Sequence, residues 1–344
     1  MRVSRALVRL IAGALAVGSG VGVARLTQAR EIAARPAAPA REAPTLTASA
    51  PSARATPTRH AAPAPAPAPE PRSVVGRPFA DGLIVTGATT HRLILFTFDD
   101  GPERHLTPIL LDELDRAHVK AVFFLTGARI RGDIALERDQ AAVVQEIARR
   151  GHIVANHTMD HIALPSLDDR EVTRQLEDEE LIFERLVGER PWLLRPPGAA
   201  HTARIDRIIS SRGYTTMLWN LGTGDVFVRT PEEVLATWKR VFERRERENG
   251  ERGGIILLHD IHAWSVAAFP LIYAELMRRN CELLDQGEEL YDVVDDPSFF
   301  FAPRHDADPA TVAPSALPDP VVLAERQTRL RAETAVRCRT VASR

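Results

Sequence analysis

The segment Thr97-Phe98-Asp99-Asp100-Gly101-Pro102 follows the apolar run Leu93-Ile94-Leu95-Phe96 and sets two adjacent carboxylates between a strand-like stretch and a Gly-Pro turn. Carboxylates at the end of a buried strand are costly unless a cation or a reaction uses them. In extended backbone, neighbouring side chains point to opposite sides, so one carboxylate can hold a metal while the other faces a reacting water. Turn chemistry is an equal alternative, with the pair serving to cap the loop. A second cluster, His157-Thr158-Met159-Asp160-His161, follows the run His152 to Ala155. Two histidines four apart share a face of a helical turn and can converge on one ion, although histidine-rich loops are often merely solvated. With Asp100 they make a two-His, one-carboxylate set, which leaves coordination positions for water and substrate.

Two more groups stand at the ends of apolar runs. Arg195-Pro196-Pro197-Gly198 follows Trp192-Leu193-Leu194. Its prolines stiffen the backbone, so the guanidinium is either pre-aimed to hold a carboxylate by a forked hydrogen bond or is an ordinary loop arginine. Leu257-Leu258-His259-Asp260-Ile261-His262 ends the run that starts near Gly254. A histidine at a strand end is a candidate acid or base because its ordinary pKa lies near neutrality, whereas His262 reads as a supporting or structural residue.

These residues need a scaffold of alternating strands and helices. Strand-like runs at Leu93–Phe98, Ala121–Leu125, His152–Ala155, Trp192–Leu194, Tyr214–Leu218, Ile255–Leu258 and Leu290–Val294 alternate with helical patterns. The helices are expected over 107–117, 139–150, 168–187, 202–212, 231–249 and 266–284. Gly151, Gly213, the Gly253-Gly254 pair and Gly287 each suit a left-handed helix C-cap. The alternation predicts an α/β fold with a parallel sheet: a distorted (β/α) barrel of about seven strands with its site at the strands' C-terminal ends, or an open doubly wound sheet.

Taken in order, the Thr97–Pro102, His157–His161, Arg195–Gly198 and Leu257–His259 motifs resemble those of the polysaccharide deacetylase family, the NodB-homology or carbohydrate esterase family 4 domain. Ala121-Val122-Phe123-Phe124-Leu125-Thr126-Gly127 resembles that family's second strand, and the likeness runs from about Leu93 to Val294. The resemblance implies a distorted seven-stranded (β/α) barrel and metal-dependent removal of acetyl groups from N-acetylated polysaccharide. It implies Asp99 as general base, with Asp100, His157 and His161 as ligands of Zn²⁺ or another divalent transition ion such as Co²⁺, Ni²⁺ or Mn²⁺. Arg195 would orient Asp99, and His259 would protonate the departing amine. The family's fourth motif is altered here to Trp219-Asn220-Leu221-Gly222-Thr223-Gly224-Asp225-Val226. Asp225 keeps the position that tunes the catalytic histidine, while Val226 replaces a groove tryptophan.

The remaining sequence bounds where such a domain works. A formal charge of -2 argues against a nucleic-acid partner. Arg2, Arg5 and Arg9 precede an apolar stretch from Leu10 to Ala24, so residues 1–29 read as an export signal or an uncleaved membrane anchor. Residues 30–72, rich in Ala and Pro, read as a disordered spacer, 73–302 as the deacetylase domain and 303–344 as a mobile tail, with a short amphipathic helix over Val321–Val336 as the alternative. Cys281 and Cys338 could pair in an oxidising compartment, but their setting implies no disulfide framework. The leading expectation is a periplasmic or extracellular deacetylase of an N-acetylglucosamine polymer, peptidoglycan or a chitin-like glycan. A polysaccharide O-acetyl esterase and a glycan-binding barrel without turnover are the alternatives.

Overall fold

The computed structural model describes residues 84–132, 134–300 and 319–342. The expected signal or anchor at 1–29 and the spacer at 30–72 lie outside the described residues. Among the described residues, nine strands form one sheet: β1 (Ile84–Val85), β2 (Leu93–Asp99), β3 (Val122–Leu125), β4 (Ile153–Asn156), β5 (Leu193–Leu194), β6 (Thr215–Met217), β7 (Leu221–Gly222), β8 (Gly254–His259) and β9 (Asp292–Val293). Their order is β1-β6-β5-β4-β3-β2-β8-β7, with β9 against the start of β2, and every pairing is parallel. Seven strands match the expected runs. The two additional ones, β1 and β7, are two-residue ladders too short to show a periodicity.

The crossovers are α1 (Leu106–Ala117), α2 (Ala135–Arg149), α3 (Asp169–Val187), α4 (Ala203–Ser211), α5 (Pro231–Asn249) and α6 (Ala263–Gln286). Local chemistry sets several of their ends. Asp168 and Thr202 accept hydrogen bonds from the backbone N–H groups of Glu171 and Ile205, and Thr230 with Glu233 forms a capping box ahead of Pro231. α2 starts four residues before the expected 139, without a capping side chain. The expected cap at Gly253-Gly254 is not one: α5 ends at Gly250, which takes the left-handed conformation, φ 69°. Gly253 and Gly254 instead let backbone pass close by. A Cβ on Gly253 would lie 2.3 Å from the carbonyl oxygen of Leu93, and one on Gly254 would lie 2.0 Å from Oδ1 of Asn220.

Alternation along the central strands determines which residues face the interior. In β2, Ile94, Phe96 and Phe98 pack under the helices in one cluster, while Leu93 and Leu95 join a second cluster with Val122, Phe124, Ala155, Leu193 and Ile255. Period-two geometry then carries Thr97 and Asp99 to the same side as Leu93 and Leu95. The same parity puts His259 with Ile255, His157 with Ala155 and Arg195 with Leu193. Arg195, just past β5, reaches Asp99 on β2, three strands away in the sheet order. At roughly 4.8 Å per strand a flat sheet would separate them by about 14 Å, so the sheet is curled around this second cluster.

Beyond residue 318 the chain departs from the expected mobile tail. Pro320–Ala342 is a helix, α7. Leu323 is buried in the interior cluster, and Arg326 donates to both carboxylate oxygens of Asp292, at 2.6 and 2.9 Å. Gln327 pairs with both the N–H and the C=O of Leu290, each at 2.9 Å. Cys338 is bonded to Cys281 of α6 across 57 residues, so the two cysteines do form a disulfide. β9 and the start of β2 lie beside this helix, at the end of the sheet opposite Asp99 and His259. In the chain-entropy account, a loop of that length stabilises the fold by on the order of 4 kcal/mol. Reduction, or Cys338→Ser, should therefore lower the melting temperature by several degrees without changing the far-UV spectrum at 25 °C. An unchanged melting temperature would show that α7 holds by its side-chain contacts alone.

Candidate active site

Every expected site residue stands at or just beyond the C-terminal end of a strand. Asp99 ends β2 and is the register partner of His259, which ends β8. His157 follows β4, and Arg195 follows β5. The expectation that Asp99 and Asp100 point to opposite sides is not met. Asp100 adopts a left-handed backbone, φ 71°, which breaks the alternation and turns both carboxylates toward His157. Nε2 of His157 lies 3.7 Å from Oδ2 of Asp99 and 3.3 Å from Oδ1 of Asp100, and Nε2 of His161 lies 3.1 Å from the same Asp100 oxygen.

The donor chemistry of this trio suits a divalent cation. Nδ1–H of His157 donates to the carbonyl of Arg195 at 2.7 Å, which selects the tautomer with a free lone pair on Nε2. That lone pair and Oδ1 of Asp100 then face one another, and the buried Oδ1 has no hydrogen-bond donor. Acceptors brought together without a proton between them need a positive charge. Asp100, His157 and His161 are the one group of His, Cys, Asp and Glu side chains among the described residues whose ligand atoms converge within 4.8 Å.

Asp99 is held differently. The guanidinium of Arg195, fully buried, donates through Nη1 to Oδ1 of Asp99 at 2.5 Å and to Oγ1 of Thr97 at 2.9 Å. Its Nε and Nη2 donate to the carbonyls of Met217 and Leu218 at 2.9 and 3.0 Å, and its carbon lies 4.0 Å from the Phe124 ring centroid. Oδ2 of Asp99 is left facing the trio.

On the other side, Nδ1 of His259 meets both oxygens of Asp225, at 3.0 and 3.1 Å, while Nε2 lies 3.9 Å from Oδ2 of Asp100. Asp225 is fixed in turn by the Ser265 hydroxyl at 2.6 Å, by the backbone N–H of His259 at 2.8 Å and, at its carbonyl, by the Trp264 indole N–H at 2.7 Å. Burial opposes a charge on His259, but Asp225, with Asp99 and Asp100 behind it, pushes its pKa up to about 9.

Several contributors carry no signal in the sequence. Thr158 and His161 are left-handed at φ 70° and 53°, so the histidine loop is no helical turn. Asp160, between the histidines, turns instead to Arg131, Arg174 and Gln175 and anchors the loop to α3. Beneath it, burial holds the Glu179 carboxyl well above its ordinary pKa. Asp260, buried beside the close approach at Gly101 and hydrogen-bonded by Thr107 at 2.5 Å, is pushed up to about 7 by desolvation. Asn220, in the altered motif, joins Glu251 and the carbonyl of Gly253 to the N–H of Ile255, at 2.8, 3.1 and 2.9 Å, and is structural. His262 stacks on Trp264 rather than entering the cluster.

The chain is similar to known proteins. Residues 86–217 match the family described as polysaccharide deacetylase. A peptidoglycan-N-acetylglucosamine deacetylase of Bacillus cereus is 29% identical over 202 residues, covering 58% of this chain and 88% of its own length. One from Listeria monocytogenes is 31% identical over 208 residues, 60% of this chain, and this chain spans only 40% of that longer relative. Among solved structures, a deacetylase with substrate is 30% identical and matches 55% of this chain and 86% of its own, with a TM-score of 0.47. A chitin deacetylase from Colletotrichum lindemuthianum shares the fold at a TM-score of 0.52 and 23% identity, over 67% of this chain and all of that one.

The pKa of His259 gives a test. Without the Asp225 charge, burial is opposed only by the more distant Asp99 and Asp100, so Asp225→Asn should lower the pKa from about 9 toward the ordinary 6.5. Imidazole resonances followed by NMR across pH 5 to 10 would show this; a titration still centred near 9 would assign the shift to the other carboxylates.

Proposed function

Because the chain belongs to the polysaccharide deacetylase family, we propose that it hydrolyses the N-acetyl groups of a cell-envelope polymer containing N-acetylglucosamine, with peptidoglycan as the leading substrate. One observation carries the reading: a candidate cation site, an arginine-held carboxylate and an aspartate-held histidine open onto one another at a single sheet edge. A glycan-binding surface needs none of these groups.

Asp100, His157 and His161 would hold the metal, and their nitrogen and oxygen donors suit Zn²⁺, with Co²⁺, Ni²⁺ and Mn²⁺ as substitutes. When bound, a divalent cation polarises an acetyl carbonyl and acidifies water. The residues of the chain supply the rest. Asp99 is the base: Arg195 occupies its Oδ1, leaving Oδ2 to take a proton from the attacking water. Arg195 also fixes the orientation of that carboxylate. His259 is the acid. It enters the reaction protonated, with Asp225 holding Nδ1–H, and its Nε2 delivers a proton to the amide nitrogen as the C–N bond breaks. Unprotonated, that nitrogen leaves poorly.

An exported, envelope-facing location is part of the proposal. It is supported by the basic and apolar start of the sequence, the Ala/Pro-rich stretch behind it and the Cys281–Cys338 disulfide, since such bonds persist in oxidising compartments. An N-terminal membrane tether is compatible with it.

The test is acetate release by the purified protein, with and without chelator, from peptidoglycan, N-acetylglucosamine oligomers and acetylated xylan. Chelator-sensitive acetate matched by new free amines supports the proposal, whereas acetate without amines indicates an O-acetyl esterase. Asp99→Asn should retain the metal and lose about 10²- to 10⁴-fold in kcat, and His157→Ala should lose both metal and activity. A near-normal rate for Asp99→Asn would remove it as the base. In wild type the rate should fall in acid as protons compete with the metal for its ligands, and fall again above about pH 9 as His259 loses its proton. A rate undiminished well below pH 5 contradicts the histidine ligation.

A further inference from the structure

Beyond Asp225 the chain turns outward and exposes apolar surface next to the acid. Val226 is exposed, and Phe227, at 88%, is the most exposed large apolar side chain among the described residues. One residue separates Phe227 from Asp225, so their Cα atoms are no more than about 7 Å apart. Its backbone is tied by Phe227 N–H to the carbonyl of Gly224 at 2.9 Å.

Arg229 follows on the same loop and is held without a counter-charge. Its Nη1 donates to the carbonyls of Val226 and Val228 at 3.1 and 2.7 Å, and its guanidinium lies 4.8 Å from the Trp264 ring centroid. Trp264 stacks on His262 at 4.7 Å, and the His262 ring is 6.2 Å from that of His259. A layered series thus leads from the surface at Arg229 to the acid.

No carboxylate among the described residues pairs with this guanidinium. That of Asp225 is engaged by His259 and Ser265, and that of Glu233 accepts from backbone N–H groups and the Thr230 hydroxyl at the start of α5. Nε and Nη2 of Arg229 therefore remain for a ligand, in a fork whose orientation the loop carbonyls and Trp264 already set.

We propose that Phe227 and Arg229 form a substrate subsite beside His259 for a sugar unit that carries a carboxylate, the ring of Phe227 covering the C–H face of the pyranose and the Arg229 fork taking the acid. An exposed aromatic ring and a stacked, pre-oriented guanidinium together recognise an apolar sugar face joined to a planar anion. A neutral chitin-like chain offers only the first of these. The inference rests on the deacetylase reading and narrows its substrate to carboxylated glycan strands.

The test compares acetate release from three substrates: N-acetylglucosamine pentamer, glycan strands alternating N-acetylglucosamine with N-acetylmuramic acid whose lactyl carboxylates are free, and the same strands with those carboxylates converted to amides. Wild type should prefer the free-acid strand over its amide, and the preference should shrink as salt rises. Arg229→Gln should raise KM about tenfold on the free-acid strand, leave kcat unchanged and stay within about twofold on the other two substrates. Arg229→Lys should recover part of the loss. Phe227→Ala should raise KM on all three. Equal effects of Arg229→Gln on acid and amide strands, or none on either, would overturn the proposal. Activity without preference between acid and amide strands overturns it while leaving deacetylation intact, whereas wild type inert on all three refutes the deacetylase reading itself.

Discussion

The site depends on a salt bridge buried inside the sheet. Arg195 and Asp99 are both buried within the curl of the sheet, and in such surroundings two charges lose several kcal/mol of hydration each. Their attraction offsets that loss only because the remaining valences are filled. Every nitrogen of the guanidinium has a partner: Thr97, Met217 and Leu218 beside Asp99 itself, with Phe124 against its face. Removing one member would leave the other charged and uncompensated, a penalty of roughly 3–5 kcal/mol. The pair thus joins β2, β5 and β6 across the interior and fixes the free oxygen of Asp99 at the reacting side.

Much of this arrangement could be read from the sequence, because it follows from parity. Leu93, Leu95, Thr97 and Asp99 share one face of β2, and Ile255, Leu257 and His259 share one face of β8. Once the apolar runs are recognised as strands of a parallel sheet, the site end is settled. Where parity stops, so does legibility. Asp100 shares a motif with Asp99, yet its position depends on a left-handed turn that its residue type does not demand. β1 and β7 have two residues each, a single repeat of an alternating pattern. α7 was legible only as an alternative, a short helix over Val321–Val336, for another reason. It docks through a few specific contacts, namely Leu323, the Arg326–Asp292 pair, the two hydrogen bonds of Gln327 and a disulfide, rather than through a broad apolar stripe.

The histidine loop shows how strain and support are balanced. Asp100, Thr158 and His161 all occupy the left-handed region, each at a cost of order 1 kcal/mol or more for a residue with a Cβ. The surroundings hold them there. Thr158 N–H donates to the Asn156 side chain, Met159 N–H to the carbonyl of Gln175, and Asp160 is fixed by the side chains of Gln175 and Arg174. A helical His-x-x-x-His turn would present both rings from one rigid cylinder. Here α3 braces an irregular loop instead, and the approach of both rings to Asp100 is set by tertiary contacts.

The two flanking groups are tuned in opposite ways by similar means. Asp99 and His259 occupy equivalent register positions on adjacent strands, and each is bound by a buried partner of opposite charge. Arg195 sets a positive charge against Asp99 and occupies its Oδ1. Asp225 favours the protonated imidazole, so that one is kept as a donor. The scaffold therefore gives each of the two groups a buried partner of opposite charge before any substrate arrives.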